Sequence, residues 1–361
     1  MLTTLIVIGL LAATIAFFAF RYRAPDLREF DTPRAALVVE EHEISEAHEA
    51  MVAKITNYLA ASDPKSSIQE QRANMETLLG RDVPATIISV DVDGIAGEWV
   101  LAEGAESNKR LLYLHGGGFR LGSPKSHRHI TYELSRRAGV AVLAVDYRML
   151  PEHKITACHE DARIAYRWIL DNGPDGSGPA EALYVAGDSA GGNMTLAVIA
   201  WARDTGLRAA DAAVAFAPLT DFTMSGPSWQ TNLKTDPFLG PAIGSLNKVP
   251  RWFLALATRW SAGKPVNDPQ LSPLFGNLAD LPPTLIQVSS AEMLYDDAQR
   301  YANRANHFGS QVELQVWPKL VHVFQGFPEI PESATALQMA ADFIGGRQES
   351  AEGKRVLESS L

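Results

Sequence analysis

Two glycine-framed clusters and one late histidine supply the residue types that acyl transfer requires. The first cluster, Gly187-Asp188-Ser189-Ala190-Gly191, directly follows the apolar run Leu183-Tyr184-Val185-Ala186 and precedes a helical stretch, Asn193 to Arg203. A serine on a tight strand-to-helix turn needs small neighbours, because the strained backbone leaves no room for Cβ atoms on either side. The turn also aims the next amide, that of Ala190, at a developing oxyanion, where the helix N-terminus adds favourable potential. With Gly at about 7% of residues, a GxSxG pattern arises easily by chance, so its placement carries more than its letters. A P-loop is excluded, since Asn193 follows Gly192 where that motif needs Lys.

The second cluster, His115-Gly116-Gly117-Gly118, follows the apolar run Leu111 to Leu114. Consecutive glycines let backbone N–H groups turn toward an anion with no side chain in the way. Gly116 and Gly117 are therefore expected to join Ala190 as oxyanion donors. A dinucleotide fingerprint fails here, because Leu121 stands at the position of its third glycine. His115, placed before the glycines, suits a loop-ordering role better than that of a base.

A serine hydroxyl is a poor nucleophile until a base takes its proton and a carboxylate orients that base. On a strand-turn-helix scaffold of this type both follow the nucleophile, in the order serine, acid, histidine. His322, a few residues beyond the last strand-like run, fits the base. For the acid, Glu292 lies just past the run Thr284 to Ser289. Asp296 and Asp297 fall where a helix begins, and Asp221 follows the run Ala212 to Ala217.

The elements that must position these groups are legible as alternating periods. Strand-like runs occur at Ala85 to Val92, Glu98 to Ala102, Arg110 to Leu114, Val140 to Val145, Ala182 to Ala186, Ala212 to Ala217, Thr284 to Ser289 and Val312 to Trp317. With helical stretches between them, they predict an α/β fold: a mostly parallel, eight-stranded sheet covered by helices on both faces. Two segments break the alternation. Residues 25–80 are helical in period, with Ile44, His48, Met51, Ile55 and Leu59 about one or two turns apart. Residues 219–271 are rich in Pro and Trp and helical only from Val249 to Trp260. Both are candidates for a helical cap over an α/β domain spanning 81–347, with a polar tail at 348–361.

Leu2 to Phe20 carries no charged residue. As a helix it would extend roughly 28 Å at about 1.5 Å per residue, close to the ~30 Å bilayer core. No Lys or Arg precedes it and Phe17, Phe18 and Phe20 occupy the place of a cleavage site, so a membrane anchor over residues 1–24 is expected rather than a signal peptide. Arg21, Arg23 and Arg28 follow, which by the positive-inside rule puts the catalytic domain in the cytoplasm. A net charge of −10 argues against a nucleic-acid partner, and a single cysteine, Cys158, excludes a disulfide framework or a multi-cysteine metal site.

The motifs together resemble the hormone-sensitive-lipase-like esterases of the α/β-hydrolase superfamily. The resemblance rests on His115 to Gly118, Asp146-Tyr147-Arg148 with Pro151-Glu152, Gly187 to Gly192, Ser272-Pro273-Leu274 with Leu281-Pro282-Pro283, and His322-x-Phe324. They occur in family order and spacing across roughly Gly94 to Phe343. The family's D/E-x-L-x-D stretch is matched by Glu292-Met293-Leu294-Tyr295-Asp296, which implies Glu292 as the acid. One departure is Lys154-Ile155-Thr156-Ala157-Cys158, where the family usually has Pro-Phe-Pro-Ala-Ala.

The resemblance implies a cap built from the two irregular segments, whose aromatics Phe222, Phe238 and Trp252 are expected to line an apolar substrate pocket. It also implies hydrolysis of short to medium acyl esters by Ser189, His322 and Glu292, with no metal or organic cofactor and a small-molecule ester as partner. Lactone or thioester cleavage would use the same parts. A non-catalytic binding module on the same fold is the alternative of a different class, and such modules usually lack a triad member.

Overall fold

The computed structural model describes residues 26–32, 36–39, 44–63 and 65–346. Strands β1 (Ala36–Val38), β2 (Thr86–Val92), β3 (Ile95–Leu101), β4 (Glu106–Leu114), β5 (Val140–Val145), β6 (Ala182–Asp188), β7 (Ala212–Phe216), β8 (Thr284–Ser289) and β9 (Val312–Trp317) form one sheet. Its nine strands run in the order β1-β9-β8-β7-β6-β4-β5-β3-β2. β3 alone runs opposite to the other strands, so its pairings with β2 and β5 are the two antiparallel ones. It turns back from β2 through Asp93-Gly94, both at positive φ (51° and 90°), the conformation a two-residue hairpin turn requires. β5 and β8 are buried along their whole length, which is why they read as continuous runs rather than alternating ones.

The longer helices are α1 (Glu46–Ala61), α2 (Ile68–Leu79), α3 (Arg128–Ala138), α4 (Ile155–Asp171), α5 (Ala190–Asp204), α6 (Arg251–Ala262), α7 (Tyr295–His307) and α8 (Pro331–Ile344). Strand alternation sorts them into two layers. Leu112, Leu114, Leu143 and Val185 face α4, α5 and α7 through Ala165, Ile169, Leu196 and Tyr301. Leu111, Tyr113, Val142 and Phe216 face α3 and α8 through Ile130, Leu134, Leu337 and Ala340. α1 and α2 stand apart from both layers. Met51, Ile55, Met75 and Leu78 pack on Leu320, Val321, Phe324 and Phe327, which follow β9.

All eight expected strands are present, and β1 is a ninth. At three residues it is too short to show a period of two. The transmembrane helix is a correction: among the described residues, no helix is long and apolar enough to cross a membrane. The longest, α4, has 17 residues and is amphipathic. The expected anchor, inferred from an uncharged run of bilayer length followed by arginines, lies outside the described residues, and nothing among them supports it. Both the anchor and the cytoplasmic placement that depended on it are withdrawn. Arg28, read as a flanking positive charge, is instead paired with Asp26 at 2.5 Å. The tail at 348–361 also lies outside the described residues.

Topology decides where chemistry can sit. The chain leaves β4 for β5 on one side and returns to β6 on the other, so a crevice opens beyond the carboxyl ends of β4 and β6. Leu114 and Gly187 are register partners there, which brings the glycine loop and the serine turn side by side although they are distant in sequence.

Candidate active site

Ser189 joins β6 to α5 with φ 52° and ψ −113°, a conformation strained for any residue with a Cβ. Its N–H donates to the Phe216 carbonyl at 2.8 Å, and its own carbonyl accepts from Leu219 N–H at 3.2 Å, so β7 fixes the turn from the side. The flanking glycines are obligatory. A Cβ on Gly187 would lie 2.5 Å from the Leu114 carbonyl oxygen, and one on Gly191 only 1.8 Å from the same atom. Both clashes are with backbone that belongs to the central sheet. Gly191→Ala is accordingly expected to destabilise the protein by about 3 kcal/mol or more, beyond ordinary overpacking. A denaturant midpoint within error of the wild type would contradict it.

Asp188 ties that turn to the glycine loop. Its Oδ1 accepts from Tyr113 Oη at 2.7 Å and from the Gly116 N–H at 3.0 Å, while Oδ2 faces His127 Nε2 at 3.4 Å. Burial opposes the Asp188 charge, but His127, together with the bonds from His127 and Tyr113, outweighs it and holds the carboxyl below its ordinary range. His127 moves the opposite way: burial lowers it, and Asp188 more than compensates.

The expected role of Gly116 as an oxyanion donor is therefore corrected. Its N–H is engaged by Asp188, and a Cβ there would meet Asp188 Oδ2 at 2.0 Å. The glycines that line the cavity are Gly117 and Gly118, at φ 116° and 64°. Tyr147 donates to the His115 carbonyl at 2.6 Å and stacks on its ring at 4.2 Å. His115, pushed down to about 3 by burial and by His127, is neutral and holds the Gly116 carbonyl through Nδ1 at 2.8 Å.

On the far side of the crevice, the loops after β8 and β9 bring Glu292 and His322 together. His322 Nδ1 is hydrogen-bonded to Glu292 Oε2, and Oε1 accepts from the Ser289 N–H at 2.6 Å. Both side chains are buried. Burial raises Glu292 above the ordinary carboxylate range despite the pull of His322. Burial also works against charge on His322, but the adjoining Glu292 carboxylate outweighs it and raises the imidazole. The other candidate acids are committed elsewhere. Asp296 accepts from Ser228 N–H at 2.5 Å; Asp297 accepts from Thr220, Asp221 and Trp229; Asp221 accepts from Thr223 and Ser225.

Ser189, Ala190, Gly117, Gly118 and His322 all line one cavity of about 810 Å³. Its remaining wall is largely apolar, with Leu59 and Met75 from α1 and α2 facing Phe238 and Leu239. Phe238 lies 6.2 Å, ring to ring, from His322. Of the three aromatics expected here, only Phe238 is in the wall. Phe222 packs on Phe119 at 5.7 Å and Trp252 edges onto Phe253 at 5.9 Å, while Trp229 takes a place in the lining. Composition marks a segment as aromatic, but which rings turn inward depends on how short helical turns at Ser228–Thr231 and Leu239–Ile243 fold back.

Several positioning groups had no sequence signal strong enough to single them out. Asn193 sits in the first turn of α5 and donates to the carbonyls of Leu219 and Leu271, at 2.7 and 2.6 Å. It thereby pins both ends of the 219–271 segment beside the serine turn. Buried Asp236 accepts from Met293 N–H at 2.9 Å and from Leu239 N–H at 2.8 Å, lacing that segment to the loop of Glu292. A polar residue amid apolar neighbours was the available clue for Asn193.

Residues 111–326, more than half of the chain, match the family described as alpha/beta hydrolase fold. The chain belongs to that family. An acetyl-hydrolase of Streptomyces hygroscopicus is 38% identical over 256 residues, which is 71% of this chain and 81% of that protein. The carboxylesterase/phospholipase LipF of Mycobacterium tuberculosis is 35% identical over 245 residues, 67% of this chain and 63% of LipF. Among solved structures, an esterase from the bacterial hormone-sensitive lipase family is similar at 33% identity, with a TM-score of 0.74 over 85% of this chain and 99% of that one. Within the α/β-hydrolase family the chain thus stands with the hormone-sensitive-lipase-like esterases, as its motifs implied.

Proposed function

We propose that the protein hydrolyses carboxylic esters by a double-displacement route in which Ser189 is the nucleophile, His322 the general base and Glu292 the acid. The observation that carries this reading is the buried Glu292–His322 hydrogen bond at the rim of a cavity that also holds Ser189 on its strained turn. His322 takes the Ser189 Oγ proton as Oγ attacks the ester carbonyl. The N–H groups of Gly117, Gly118 and Ala190 receive the oxyanion, Ala190 contributing one of the unpaired donors of a helix start. His322 then returns the proton to the departing alcohol, leaving an acyl group on Ser189. Water, deprotonated by the same imidazole, attacks that acyl-enzyme and releases the acid. Naming of relatives as acetyl-hydrolase and carboxylesterase agrees with this chemistry.

In the same reading, α1 and α2 with the 219–271 segment form the cap, and their apolar wall receives the acyl chain. A fluorophosphonate probe should label Ser189 in the wild type, and peptide mass spectrometry after labelling checks this. Labelling at another serine, or none, would remove the reading. For the substrate, p-nitrophenyl acetate through octanoate should be hydrolysed faster than long-chain triglycerides, because a cavity of about 810 Å³ holds a limited chain length. Faster turnover of emulsified triolein than of p-nitrophenyl butyrate is the contrary result.

A further inference from the structure

The loop that carries His322 is held in a backbone conformation its own sequence disfavours. Val323, the next residue, has φ 52° and ψ 47°, and a β-branched residue is a genuine outlier in that left-handed region. Lys319, three positions before His322, is also at positive φ (58°). Strain of this kind persists only where the surroundings over-determine the conformation. Part of the restraint is apolar, from Met51, Ile55, Met75 and Leu79 packing on Leu320, Val321 and Phe324.

Directed bonds supply the rest, among them one from the Lys319 N–H to Ser290 Oγ at 3.2 Å and one that reaches α1. The Val321 N–H, which belongs to the Leu320–Val321 peptide one link ahead of the Val321–His322 bond, donates to Nε2 of His48 at 3.0 Å. His48 lies in the first turns of α1 and is buried. To accept at Nε2 the neutral imidazole must carry its proton on Nδ1, and Nδ1 is itself buried without a partner among the described residues. A leucine would fill this apolar site but leave the buried Val321 N–H without an acceptor, so packing alone does not account for an imidazole here. Burial lowers His48 below its ordinary range, against the opposing pull of Glu332 and Glu49, which keeps it in the neutral form able to accept.

We propose that His48 is a positioning residue for the reaction: by accepting the Val321 N–H it fixes the Leu320–Val321 peptide just ahead of His322 and holds that imidazole in register with Glu292 and the cavity. The inference rests on the reading of His322 as general base. His48 touches no reacting atom. It acts through the backbone, and the N-terminal helix thereby contributes to proton transfer as well as to the cavity wall.

The test compares His48→Leu, His48→Asn and His48→Gln in the full chain, with p-nitrophenyl butyrate turnover and thermal melting measured for each. Gln places an amide oxygen near the position of Nε2 and can accept the Val321 N–H, whereas Asn is polar but too short and Leu cannot accept. Small misplacement of a catalytic group costs on the order of 100-fold in rate. His48→Leu and His48→Asn should therefore lower kcat by about 30- to 100-fold with KM within about twofold, and His48→Gln should recover to within about fivefold of wild type. The far-downfield proton resonance of the His322–Glu292 bond should be present in the wild type and His48→Gln and be broadened or lost in His48→Asn. Should the leucine variant fail to fold, the asparagine and glutamine pair still decides the matter. A folded His48→Leu or His48→Asn with wild-type kcat overturns the positioning role alone, as does a folded His48→Gln no better than His48→Asn. A wild type that neither turns over the ester nor takes the phosphonate overturns the triad reading and this inference with it.

Discussion

Ser189→Ala should leave a folded protein whose ester turnover is reduced by about four to six orders of magnitude. Losing a triad nucleophile leaves only the oxyanion donors and binding, which in serine hydrolases retain a small fraction of the rate enhancement. The expected stability change is small, because Ala keeps the same Cβ in the same strained backbone and the Ser189 amide keeps its bond to Phe216. That separates loss of chemistry from loss of fold. Ser189→Gly adds a control on the strain itself. Relieved of its Cβ at φ 52°, the turn should gain about 1 kcal/mol of stability while remaining as inactive as the alanine variant. Residual kcat above about a tenth of wild type in Ser189→Ala would mean that less than ~1.4 kcal/mol of barrier depends on the hydroxyl, which no nucleophilic role allows.

Much of this arrangement was legible in the sequence because it is local. The strand-turn-helix context of Gly187 to Gly191 is contiguous, and fully buried strands such as β5 announce themselves as unbroken apolar runs. The pairing of Glu292 with His322 was legible at one remove, since the loops after consecutive parallel strands meet at one edge of a sheet. What the sequence could not carry are contacts whose partners are far apart and chosen by side-chain geometry. Nothing in His115-Gly116-Gly117-Gly118 says that Asp188 will engage the first glycine amide and leave the next two for the cavity. The bond from Val321 to His48 joins residues 273 positions apart, and a histidine on an amphipathic helix reads as one more spacer. β1 pairs at the sheet edge through three residues, fewer than any periodic signal needs. The N-terminal anchor was inferred from an apolar run and its flanking arginines, and among the described residues no helix is long and apolar enough to bear it out.

Glu292→Gln is expected to lower kcat by about 10³- to 10⁴-fold with little loss of stability. The wild-type carboxylate accepts on both oxygens, from Ser289 N–H and from His322 Nδ1. Glutamine offers one acceptor and one amino group, so either the Ser289 amide or the His322 Nδ1–H must face a donor. Relief comes when His322 moves its proton to Nε2, the tautomer that cannot accept from Ser189. The charge that stabilises imidazolium in the transition state is lost as well. The pH profile provides an independent sign. In the wild type, Glu292 raises the His322 pKa against burial, and since only the neutral imidazole acts as base, kcat/KM should climb with pH through that raised value. With the Glu292 carboxylate gone, burial, the largest influence on the ring, meets only the weaker pull of Asp236 and Asp188 and favours the neutral form. The residual activity of Glu292→Gln should therefore reach its plateau at lower pH than the wild type. Asp296→Asn and Asp221→Asn should keep kcat within about tenfold, because these side chains bond to Ser228 and to Thr223 and Ser225 rather than to His322. A profile that stays in place or moves to higher pH in Glu292→Gln, or an Asp221→Asn variant as inactive as Glu292→Gln is expected to be, would transfer the acid's role away from Glu292.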